Sequence, residues 1–154
     1  MAQIYFEDVT KGQEVTALTQ HCDSQRLVYW AAGSGDFYQI HYDKDFAQRT
    51  GLPDRIVHVA LKHALLGRML HEWAGDQGRV RRVACQYRGM DMVDKDVTCK
   101  GIVTAKRSEG GEHLVDVSER QASIGLMLVT VTEFTYRNQA DKIVAKVRAT
   151  GISY

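Results

Sequence analysis

The run Ile56-Val57-His58-Val59-Ala60-Leu61-Lys62-His63-Ala64-Leu65-Leu66-Gly67-Arg68-Met69-Leu70-His71-Glu72-Trp73 is the longest apolar stretch of the chain, and its reading decides the fold class. Wound at 3.6 residues per turn, its apolar side chains cover well over half of the circumference, which predicts a long and mostly buried helix from about Ile56 to Trp73. His58, Lys62, His63 and Arg68 interrupt the run, so it does not read as a membrane span.

After Gly75 and Gly78 the period changes from helical to two. Val83, Cys85 and Tyr87 share one face, as do Val97, Cys99 and Val103. Strands are expected near 80–89, 97–108, 113–121, 124–137 and 143–151, with Gly110-Gly111 and Asn138 to Asp141 as turns, and the 124–137 strand is expected to be central. Another strand is expected near Glu14 to Thr19. Between it and the long helix, Asp23 or Ser24 caps a short helix that stops at Gly33-Ser34-Gly35, and Asp43 caps a second one that ends at Gly51 and Pro53. One buried helix with five or six antiparallel strands is an α+β domain whose sheet must wrap the helix.

A chain of 154 residues with one proline and no Ser/Gly linker or repeat reads as one domain over 1–154. Its formal charge of +1 gives no field for nucleic acid or an anionic membrane surface. The three cysteines match neither a disulfide framework nor a zinc spacing, and no signal segment is apparent. A reducing, cytoplasmic setting is therefore expected.

Chemistry is expected in Gly35-Asp36-Phe37-Tyr38-Gln39-Ile40-His41, where a carboxylate and an imidazole share a loop that follows small residues. Trp30, Phe37, Tyr38 and Ile40 are placed to form the substrate pocket and to desolvate the pair, as acid-base chemistry requires. His58, His63 and His71 on the long helix are spaced by five and eight, which does not align them as metal ligands. His63 and His71 read as boundary residues. Arg79, Arg81, Arg82 and Arg88 read as a solvated strand end, with contact to the phosphates of a ligand as the other reading.

The run from Ala31 through Ser34-Gly35-Asp36, Ile40-His41-Tyr42-Asp43, Ala47, Gly51-Leu52-Pro53 and Ile56-Val57-His58 resembles the MaoC-like (R)-specific enoyl-CoA hydratases and dehydratases. Within that family it is most similar to FAS1-like dehydratase domains and steroid side-chain hydratase subunits. The resemblance implies a hot-dog fold, a curved antiparallel sheet around one long helix. It also implies hydration of a trans-2-enoyl-CoA, or the reverse dehydration of a 3-hydroxyacyl-CoA, in fatty acid or steroid metabolism. Asp36 would take a proton from one water and His41 would deliver one to the α-carbon. The backbone amide of Val59 would meet the charge on the thioester oxygen, with His58 beside it in the site wall. Two positions depart from the family pattern: Tyr38-Gln39 stands for Asn-Pro, and Val59 stands for Gly.

No metal and no cofactor is expected, coenzyme A being part of the substrate. The expected assembly is a homodimer or a heteromer with a second hot-dog chain. The competing readings are a hot-dog acyl-CoA thioesterase and a non-catalytic acyl-CoA-binding subunit of a heteromeric hydratase.

Overall fold

The Asp23 carboxylate accepts the backbone N–H of Arg26 at 2.7 Å and so starts α1, Ser24–Ser34. Gly35 ends that helix with φ 78°, a left-handed conformation that favours glycine. Asp43 repeats the capping device on Phe46 at 2.9 Å for α2, Lys44–Arg49. Both helices lie where the sequence places them. The computed structural model describes residues 4–76, 78–87, 89–109, 112–122 and 128–136.

The strands are β1 (Glu14–Cys22), β2 (Gly78–Gln86), β3 (Lys95–Glu109), β4 (Glu112–Ala122) and β5 (Leu128–Tyr136). They form one sheet in the order β1-β3-β4-β5-β2, with every neighbouring pair antiparallel. β5 lies between β4 and the edge strand β2, so it is flanked on both sides, but the centre of the sheet expected for it is held by β4. The strand expected at 143–151 falls outside the described residues, as does Arg88. Arg79, Arg81 and Arg82 are exposed on β2.

The long helix, α3, spans Val59–Ala74 and packs on the sheet. Leu61, Leu65, Leu66, Met69, Leu70 and Trp73 meet Val15, Val97, Cys99, Val103, Val115 and Val117 in one core. Each fully buried side chain of this kind contributes about 1.5–3 kcal/mol. The free thiol of Cys22 joins that core, and burial pushes its pKa up to about 11. No helix among the described residues is long and apolar enough to cross a membrane.

Two expectations are corrected here. α3 begins at Val59 and not at Ile56, because Ile56 bridges to Met92 and the Val57 N–H is used by the Asp91 carbonyl at 2.8 Å. The two residues thereby form a strand stub on the segment between β2 and β3. Nor is α3 mostly buried: Val59 is 52 % exposed, and Ala60, His63 and Ala64 are also exposed, whereas the charged Lys62 is buried. Its sheet covers one face and leaves the other open.

Candidate active site

α1 delivers Asp36 to the site. The Ser34 hydroxyl donates to the Trp30 carbonyl at 2.7 Å and accepts the Asp36 N–H at 3.2 Å, which ties the loop to the helix end. Asp36 in turn accepts the Tyr38 N–H on Oδ1 at 3.4 Å. That leaves Oδ2 to face the imidazole, with the Asp36 side chain 44 % exposed.

A 3₁₀ turn, Gln39–His41, carries His41 back into the protein, where it is buried. Its Nδ1 lies 2.7 Å from the Ile56 carbonyl. A carbonyl only accepts, so Nδ1 bears the proton and Nε2 is the atom presented to the site. Nε2 stands 4.0 Å from Asp36 Oδ2. That separation is long for a direct hydrogen bond and suits two groups that hold one water between them.

His58 backs the pair. It is fully buried at the N-terminus of α3, its Nε2–H donates to the Asp36 carbonyl at 3.2 Å, and its ring stacks on His41 with centroids 3.8 Å apart. Burial first, and the neighbouring His41 second, lower its pKa, so His58 stays neutral near pH 7. The ring is fully buried and is not among the residues that line the cavity, and it contacts Asp36 and His41 from behind. The ligand atoms of Asp36, His41 and His58 lie within 4.8 Å of one another. Stacked imidazoles direct their nitrogen lone pairs in nearly parallel planes, which suits hydrogen bonding better than convergence on one ion.

Asp36 and His41 open on a cavity of about 690 Å³ lined by Trp30, Ile40, Ile56, Val59, Ala60, His63 and Ala64. A volume of that order suits a small-molecule site, and the lining is mainly apolar with few polar groups. Val59 and Ala60 are in the first turn of α3, whose N–H groups have no intrahelical acceptor and whose dipole favours negative charge. Trp30 and Ile40 line the cavity as expected. Phe37 and Tyr38 do not, since the turn held by Asp36 Oδ1 directs them outward, 57 % and 55 % exposed. Tyr38 instead sets its ring edge against His41 and Phe46. Sequence reasoning missed Ala60, His63 and Ala64, although their spacing from Val59 puts all four on one helix face.

With that geometry in hand, the family model for the MaoC like domain matches residues 7–123. The chain belongs to the MaoC-like dehydratase family. A Mycobacterium tuberculosis protein, the 3-oxo-4,17-pregnadiene-20-carboxyl-CoA hydratase beta subunit, is 27% identical over 94 residues, which is 61% of this chain and 73% of that protein. The ChsH1-ChsH2 complex of Mycobacterium tuberculosis contains a similar chain, with a TM-score of 0.69 at 25% identity over 83% of this chain and 98% of the other. The (R)-hydratase from A. caviae involved in PHA biosynthesis gives a TM-score of 0.73 at 24% identity over 83% of this chain and 96% of the other. The last of these likenesses speaks to fold alone, and the fold of this MaoC-like chain is the hot-dog.

Proposed function

We propose that this MaoC-like chain adds water to a trans-2-enoyl-CoA with (R) stereochemistry, or removes it from the 3-hydroxyacyl-CoA. The observation that carries the reading is the 4.0 Å gap between Asp36 Oδ2 and His41 Nε2 at the wall of a cavity that also contains the first turn of α3. One water bridges the gap. Asp36 takes a proton from it as the oxygen attacks the β-carbon, and His41 Nε2–H delivers a proton to the α-carbon. Negative charge that builds on the thioester oxygen is met by the Val59 N–H and the α3 dipole. A further water then carries the proton from Asp36 to His41 and restores both groups. The step needs a proton on His41 Nε2 besides the one that Nδ1 directs at the Ile56 carbonyl, and Asp36 Oδ2 is the nearby acceptor that faces Nε2. The route uses no metal and no redox cofactor.

The open face of α3 favours a partner. Val59, Ala60, His63 and Ala64 form both the cavity floor and an exposed helix face, so a second hot-dog chain set against it would close the site. The similarity to a subunit named beta and to a chain of a two-component complex supports a heteromer as much as a homodimer. A cytoplasmic location fits such an enzyme.

Purified chain incubated with crotonyl-CoA and longer enoyl-CoA thioesters provides the test. Loss of enone absorbance with an (R)-3-hydroxyacyl product on chiral chromatography supports the reading. Release of free thiol selects the thioesterase instead, and a predominantly (S) product sinks the geometry. A chain that is inert alone and active with a second hot-dog subunit assigns it the supporting role.

A further inference from the structure

Lys62 lies on the face of α3 turned to the core and is 1 % exposed. Its Nζ donates to Asp91 Oδ2 at 2.8 Å and to the Gly89 carbonyl at 3.2 Å, and it sits 4.8 Å from the centre of the Tyr87 ring. All three partners belong to the connector between β2 and β3. A buried ion pair contributes little net stability, because the desolvation of both charges offsets their attraction, and an apolar pair of similar volume often does as well. Stability alone therefore gives no reason for a lysine at this position.

The connector leads directly to the acid-base pair. The Asp91 carbonyl accepts the Val57 N–H at 2.8 Å, the Val93 N–H donates to the Arg55 carbonyl at 3.0 Å, and Met92 bridges Ile56. Residues 55–57 are thus zipped to 91–93. Ile56 uses its other side for the catalytic loop: its N–H donates to the Ile40 carbonyl at 3.2 Å, and its carbonyl accepts His41 Nδ1–H at 2.7 Å. Asp91 serves both ends of the chain of contacts, with its side chain on Lys62 and its carbonyl on Val57.

We infer that Lys62 and Asp91 are positioning residues for the Asp36–His41 pair, their buried ion pair clamping the connector that fixes the Ile56 carbonyl from which the His41 imidazole hangs. The inference rests on the hydration reading above for its kinetic consequence and on the geometry alone for its structural one. Neither residue touches the reacting atoms. Without Lys62 the buried Asp91 carboxylate loses the ammonium 2.8 Å from it, and the connector loses this tie to α3 and moves outward. The Ile56 carbonyl then turns from His41, and Nδ1–H no longer has its fixed acceptor.

The test uses the full chain and the variants Lys62→Met and Asp91→Asn, the latter retaining an oxygen for Nζ. All are assayed well below their melting temperatures on an enoyl-CoA that the wild type hydrates, and by long-range ¹H–¹⁵N NMR of the histidine side chains. Lys62→Met is expected to lower kcat on the order of 10-fold with KM changed by less than about twofold, and Asp91→Asn to lower it roughly threefold. Read at a pH high enough for the ring to be neutral, His41 is expected to pass from a single Nδ1–H tautomer in the wild type to a mixture in Lys62→Met. A folded Lys62→Met with wild-type kcat and an unchanged His41 signal overturns the inference and leaves the pair purely structural. If Lys62→Met does not fold, the same readouts on Asp91→Asn decide. A wild type that hydrates nothing refutes the functional reading, and the tautomer measurement then decides the clamp separately.

Discussion

The rings of His41 and His58 lie face to face, with 3.8 Å between centroids and 21° between planes. Burial first, and the neighbouring His41 second, hold the His58 pKa below its ordinary value, so His58 is a neutral ring near pH 7. His58 is fully buried and donates Nε2–H to a carbonyl, whereas His41 faces a carboxylate. The stack therefore places a neutral ring behind His41 and leaves His41 Nε2 facing Asp36.

The pH dependence of stability follows from the same stack. His58 has a folded-state pKa below its ordinary value near 6.5, so the unfolded chain takes up this proton first. Its contribution is complete above about pH 6.5 and is lost as the pH falls toward the lowered folded-state value. His58→Gln keeps an N–H donor for the Asp36 carbonyl and does not titrate. Thermal melts from pH 7.5 to 5 are expected to show a smaller fall in Tm for this variant than for the wild type, and equal slopes refute the assignment.

Asp36→Asn and His41→Ala are each expected to reduce hydration on the order of 100-fold or more, because in the proposed mechanism each is one proton-transfer partner of the single water. Steady-state rates on crotonyl-CoA or a longer enoyl-CoA, with circular dichroism to establish folding, provide the check. Wild-type rates in both folded variants would dismiss the pair.

Ala64 lies on the open face of α3 and lines the cavity. Ala64→Trp fills that space without disturbing the core and is expected to raise KM on the order of tenfold, with Tm within a few degrees of the wild type. An unchanged KM would place substrate elsewhere.

Two glycines are expected to respond in opposite directions. A Cβ on Gly78 would lie 2.5 Å from Ala74 Cβ and 2.8 Å from the Ala74 carbonyl oxygen, so Gly78→Ala is expected to destabilise the chain by about 1–3 kcal/mol. Gly33 is in α1 with no heavy atom within 4 Å of such a Cβ, and Gly33→Ala is expected to stabilise by roughly 0.5–1 kcal/mol. Urea titrations of both variants measure the difference.

Local chemistry made α1 and α2 legible: the carboxylates of Asp23 and Asp43 and the glycines at 35 and 51 act within a few residues of themselves. The same holds for the loop that unites Asp36 with His41, which a family resemblance and a short spacing suffice to find. What was not legible depends on residues distant in sequence. Ile56 and Val57 are apolar enough for a helix, and only their pairing with Asp91 and Met92 makes them extended. Lys62 has the character of a solvated side chain until Asp91 is placed against it. Apolarity alone places Phe37 and Tyr38 in the pocket, but the backbone turn held by Asp36 Oδ1 sends them outward.

The bridge from Ile56 to Met92 also sets when the site comes into being. A nascent chain that has emerged only as far as α3 already carries Asp36, His41 and His58, yet the segment that secures the Ile56 carbonyl is still unsynthesised. Competence is thus acquired after the local helices and together with the long-range pairing of β3 on β1, the slow kind of contact in a folding reaction. In the reverse direction, fraying of the connector is a local opening that releases His41 without melting the sheet. Loss of activity under gentle warming is accordingly expected to run ahead of loss of structure.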